Sequence, residues 1–144
     1  MPYRIRWEGH GVYRRFYGVM TKAEFREAYE EMCRDIRYEG IRYVISDYLD
    51  AVPGPDITCQ DMKDQAELER LRFFDSPDTV QAMIGKDPQT LEYIRYYESL
   101  GISPHCLGHF STVAEARQWI ANNPRVGWIR PPTSAAVAAM VQHS

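Results

Sequence analysis

Tyr3, Ile5 and Trp7 alternate with Arg4 and Arg6, the period of two that marks a strand with one wet face. Residues 8–11 supply a turn, and residues 12–17 continue as a second strand that Gly18 ends, so the chain opens on a β-hairpin. The period then changes. Phe25, Ala28, Tyr29, Met32 and Ile36 recur at helical spacing behind a Thr21–Glu24 capping box, predicting a helix over residues 22–37 that Gly40 breaks. Tyr43, Val44 and Ile45 form a continuous β-branched and aromatic run, as a strand buried on both faces requires, with Asp47 where the run ends. A loop carrying Pro53, Gly54 and Pro55 leads to Thr58 and Asp61, a second capping-box pattern. Its helix is crowded with charge, with Met62, Ala66 and Leu68 or Leu71 as the inward positions.

Residues 80–84 read as a second buried strand. Asp87 followed by Pro88 is a helix start, Leu91, Ile94, Tyr97 and Leu100 carry its apolar face, and Gly101 is its stop. Residues 105–110 read as the last strand. Thr112 and Glu115 then open a helix with Val113, Ala116, Trp119 and Ile120 inward, closed by Asn122, Asn123 and Pro124. The order β-β-α-β-α-β-α-β-α predicts an α/β fold with a mixed sheet. Strands beginning near residues 12, 42, 80 and 105 are expected to run parallel, with residues 3–7 antiparallel at one edge. The domain spans residues 1–124. In the tail, residues 125–144, the apolar set of Trp128, Ile129, Val137, Met140 and Val141 is too small to order itself. It is expected to pack on the domain or on a second subunit, which predicts a homodimer.

At 144 residues the chain suits one domain, and 44% apolar with 26% charged residues is ordinary for a globular protein. The net charge of −3 and pI near 5.8 argue against a nucleic-acid partner, which needs a clustered basic face. Cys33, Cys59 and Cys106 are too few and odd in number for a disulfide framework. The first residues carry no apolar signal core, and no apolar run approaches the roughly 20 residues a membrane span needs. The expectation is a cytoplasmic protein without membrane insertion.

The end of the 43–45 run and the following helix start mark the rim where open α/β sheets place their sites. The candidate binding residues there are Asp47, Tyr48, Asp50, Asp56 and Thr58. Thr58 reads two ways, as a phosphorylatable regulatory hydroxyl at a helix N-terminus or as a plain N-cap. Asp47 and Asp50 suit a hard cation or a substrate hydroxyl, or equally bond their own loop. His105, Cys106 and His109 form the one close His/Cys group, but Cys106 points away from the face the histidines share. No metal or cofactor is expected. No Gly-rich phosphate loop, nucleophile elbow or helical His-Glu-x-x-His is present, so no enzyme is predicted. Tyr29, Tyr38, Tyr43, Tyr48, Tyr93, Tyr96 and Tyr97 make the chain tyrosine-rich, and either some of them line an apolar pocket or they sit half-buried around the core. Arg14 and Arg15 beside Phe16 and Tyr17 are explained by strand alternation.

Residues 7–18, 41–50 and 110–120 together resemble the STAS fold of sulphate-transporter and anti-sigma-factor-antagonist domains. Within it they resemble the SpoIIAA-like, STAS/SEC14-type bacterial branch, over about residues 3–122. The resemblance implies an N-terminal hairpin followed by βα repeats with mostly parallel strands. In anti-sigma-factor antagonists a Ser beside an Asp at the helix start is phosphorylated. Asp56 and Thr58 are the matching positions, here separated by Ile57. The functional expectation is a non-catalytic protein-interaction or regulatory module that binds a partner through the 47–58 rim, with Thr58 as its candidate phosphorylation site or a plain cap. The alternative is a carrier or sensor of a small apolar or lipid-like ligand.

Overall fold

The structure, a computed structural model, describes residues 2–72, 78–101, 106–124 and 126. The tail packing and homodimer expected of residues 125–144 lie outside the described residues except at Val126, and so does His105.

β1 (Tyr3–Trp7) and β2 (Gly11–Met20) form the antiparallel hairpin, with Tyr3 opposite Phe16 and Trp7 opposite Val12. β3 (Tyr43–Pro53), β4 (Val80–Ile84) and β5 (Cys106–Phe110) follow parallel to β2, and the spatial order of the five strands is their chain order. α1 (Lys22–Arg34), α2 (Cys59–Leu71) and α3 (Pro88–Leu100) are the three crossovers, and α4 (Val113–Asn122) follows β5. Each crossover advances one strand in the same direction. Because crossovers share one hand, such a progression puts all three helices on one face. Ala28, Met62, Ala66 and Ile94 accordingly pack with Phe16 and Met83. α4 is not a crossover and covers the other face, where Ala116 and Ile120 meet Ile45, Ala82 and Ile84.

The caps form as the sequence predicts. Thr21 Oγ1 accepts the Glu24 amide at 3.1 Å, Asp87 accepts the amides of Gln89 and Thr90, and Gly101 ends α3 with a left-handed φ of 62°. Four expectations need correction. β2 does not stop at Gly18 but runs on to Met20, whose side chain is in the core. β3 is 11 residues long, so Asp47 lies in its interior and not where it ends. α1 ends at Arg34, and Ile36 opens a short 3-10 turn with 82% of its surface exposed. Leu71 is 73% exposed; the inward stripe of α2 is Met62, Gln65, Ala66 and Glu69. At about 100° per residue, 62, 65, 66 and 69 share a face that 71 cannot join.

The faces of β3 alternate. Val44, Ser46 and Tyr48 look toward α1–α3, and Tyr43, Ile45 and Asp47 toward α4. Arg15 pairs with Asp47 but Tyr17 with Asp50, so β3 holds an extra residue at this bulge. The bulge reverses the alternation, and Ala51 returns to the α1–α3 core.

A polar pocket under three helices

β2 places Val12, Arg14 and Phe16 on one face, and Val12 and Phe16 are fully buried. Arg14 is therefore carried into the core, with 7% of its surface exposed. Its Nη2 donates to Ser46 Oγ at 2.7 Å, and the guanidinium lies 5.3 Å from the Phe16 ring centre. Among the described residues Arg14 makes no ion pair, and its buried Nε has no acceptor.

This arginine borders a cavity of about 70 Å3 between the sheet and α1–α3. The inner wall is polar: Arg14, Ser46, Gln65, Glu69 and Gln81. Gln65 and Glu69 come from the inward stripe of α2, and Gln65 Nε2 donates to Glu69 Oε1 at 3.2 Å. Tyr97 of α3 adds a buried phenol whose hydroxyl has no partner among the described residues. Burial raises the Tyr48 phenol, and the Arg14 charge beside it pulls the other way. The outer wall is apolar, built by Met20, Phe25, Pro53, Ile57, Met62 and Tyr93. Tyr93 donates to the Ile57 carbonyl at 2.8 Å and so ties α3 to the loop before α2. Val52, at the carboxyl end of β3, lines the cavity and is itself 41% exposed, and that end is where parallel sheets keep their sites.

The five rim residues fall into separate surroundings. Asp47 is buried on the α4 face, where it accepts the Tyr13 hydroxyl and the Leu49 amide. Burial, with Asp47 beside it, pushes Tyr13 up to about 12. Tyr48 stacks on Phe16 with ring centres 4.8 Å apart and lines the pocket on the opposite face. Asp50 is half-exposed and paired with Arg15. Asp56 accepts the Lys22 amide at the start of α1, at 3.1 Å. Thr58 caps α2: its amide donates to Asp61 Oδ2 at 2.7 Å and its hydroxyl to the same oxygen at 3.2 Å. Of these, only Tyr48 belongs to the cavity.

Comparison with protein-family models, with curated proteins and with solved structures returned no match.

Arg14, Ser46, Gln65, Glu69 and Gln81 are what a reading by composition passes over. One signal was present in the strand. An arginine two positions from a valine and two from a phenylalanine shares their face, so if they are core, it is core. The other was helical, since Glu69 falls seven positions after Met62 on the same stripe. Among the described residues no group of three or more His, Cys, Asp and Glu side chains could hold a metal ion. No described helix is long and apolar enough to cross a membrane.

Proposed function

We propose that this chain is a non-catalytic, STAS-like ligand-binding domain whose working site is the pocket between the sheet and α1–α3. The observation that carries the reading is the placement of Arg14. Burying a guanidinium costs several kcal/mol unless a counter-charge and hydrogen bonds offset it. An apolar side chain between Val12 and Phe16 would pack at no such cost. A buried cation with a donor left over, facing a cavity that Tyr97 also faces, is a binding arrangement. The ligand is small and partly polar. At about 70 Å3 the interior is well below the roughly 300–1,000 Å3 of sites for larger molecules, and the lipid-like ligand suggested by the tyrosines would not fit. The STAS-like reading is supported by the hairpin, the parallel order and the three crossover helices on one face.

Amide shift mapping by NMR with a library of small organic fragments tests this. Fragments that move the amides of Ser46, Gln65 and Tyr97 as one set are the expected result. Hits confined to the α4 face, or no hits, would defeat the reading.

The protein-partner reading keeps one specific support. Val19 and Val52 are register neighbours at the far end of β2 and β3, and they are 61% and 41% exposed. Capture of a partner that Val19→Glu abolishes, without loss of fold, would favour it.

A further inference from the structure

We infer that the ligand of this pocket is a small monocarboxylate, held by its two oxygens against Arg14 and Ser46. The inference rests on the reading of the pocket as a binding site, and it names what is bound. Nε and Nη2 of an arginine are parallel donors along one edge of a planar fork, the geometry that fits a carboxylate. Nη2 is already set by Ser46 Oγ at 2.7 Å, which orients the fork, and Nε has no acceptor. Having accepted from Arg14, the Ser46 hydroxyl has its own proton, which the neighbouring Tyr48 phenol now takes and a ligand oxygen would share. Tyr97 supplies a further hydroxyl to the same cavity. Arg14 and the hydroxyls of Ser46 and Tyr97 converge on a small volume whose wall also carries the Glu69 carboxylate, which suits a planar anion of no more than single charge with two acceptor oxygens.

Size and charge narrow the class. About 70 Å3 holds roughly half a dozen water-sized volumes, which admits a short carboxylic acid and excludes a fatty acid. Met83 and Ile94 give the acid's carbon chain an apolar surface to lie on. Glu69 stands on the same wall with only 4% of its surface exposed. A carboxylate there is tolerable to a monoanion across the cavity and repels a dianion. Phosphate and dicarboxylates are therefore disfavoured, whereas an ammonium on the ligand's α-carbon would find Glu69 helpful.

The test is calorimetric titration of the full chain, with amide shift mapping alongside, using butyrate, 2-aminobutyrate, butyramide, decanoate and inorganic phosphate. Butyrate or 2-aminobutyrate should bind at the pocket amides, and butyramide at least about tenfold more weakly, the worth of one charge-assisted hydrogen-bond pair. Arg14→Met should keep the fold by circular dichroism and lose butyrate binding by at least about tenfold. Should that variant fail to fold, Ser46→Ala and Tyr97→Phe serve instead. Each should weaken the acid by more than it weakens the amide, because a hydroxyl donates more strongly to a charged oxygen. Butyramide binding as tightly as butyrate would overturn the carboxylate assignment while leaving the pocket reading intact, and so would phosphate or decanoate binding best. No shift of any pocket amide with any compound would overturn both.

Discussion

Arg117 and Glu8, 109 positions apart in the chain, meet in a two-pronged ion pair: Nη1 on Oε1 at 3.0 Å and Nη2 on Oε2 at 2.8 Å. The Tyr43 hydroxyl adds a third bond to Glu8 at 2.9 Å, and Arg6 adds two more, from Nε at 3.2 Å and Nη2 at 2.9 Å. The pair pins α4 to the turn between β1 and β2, over the sheet face that no crossover helix covers. Its donors and acceptors are matched, which is the arrangement Arg14 lacks.

Stability should carry the signature of Glu8 in acid. Burial opposes its charge, but the hydrogen bonds from Arg117 and Arg6 outweigh that and hold the carboxyl below its ordinary 4.5. A depressed acid stabilises the fold above its unfolded value, and the contribution is lost as pH falls through the lowered one. Glu8→Gln should cost roughly 1–3 kcal/mol near neutral pH. The gap to wild type should begin to close near pH 4.5, where the unfolded-state carboxyl protonates, and vanish once pH has fallen through the lowered folded-state value. Urea unfolding at several pH values measures both, and a gap independent of pH would contradict the assignment.

Gly11 should not tolerate a side chain. A Cβ there would lie 2.3 Å from the Tyr43 ring, whose position is held by Glu8. Gly11→Ala is expected to cost roughly 1–3 kcal/mol. In a Tyr43→Ala background the same change should cost much less. Equal costs in both backgrounds would mean the ring is not what excludes the methyl.

At the start of α2, Asp61 should matter more than Thr58. Thr58→Ala removes one hydroxyl bond and should cost about 1 kcal/mol. Asp61 is buried, receives the Thr58 amide, and lies 3.6 Å from Lys22 Nζ and 3.4 Å from Arg26 Nη2. Asp61→Ala should therefore cost more, by thermal unfolding. A phosphate on Thr58 would face the Asp61 carboxylate, so Thr58→Glu should destabilise more than Thr58→Ala. A Thr58→Glu protein as stable as wild type would count against this geometry and reopen Thr58 as a phosphate acceptor.

The orientation of α2 has its own check. Leu71→Lys should change stability by no more than about 0.5 kcal/mol, as an exposed position does. Ala66→Leu, at a fully buried residue, should cost roughly 1–3 kcal/mol. The reverse ranking would place Leu71 on the inward stripe after all.

The chain's order alone decides the short-range features, and the assembled fold decides the rest. The hairpin, the βα alternation, the caps at Thr21, Asp87 and Thr112, and the stop at Gly101 are local. They depend on residues within a turn or two of each other, so periodicity and capping chemistry suffice to place them. Even the burial of Arg14 was latent in its spacing from Val12 and Phe16.

The site was not local. Asp47 and Tyr48 are adjacent in the chain and belong to opposite faces of the sheet, because successive strand residues point opposite ways. The length of β3 and its bulge, which moved Asp47 from a strand end to an interior position, come from pairing with β2. The pocket itself needs β2, β3, β4 and three helices before it exists. Gln65 and Glu69 are one helical turn apart, but Arg14 finds Ser46 32 positions along the chain. Local pattern decides which elements form. Only their packing decides which polar side chains share one wall, and whether a space is left between them.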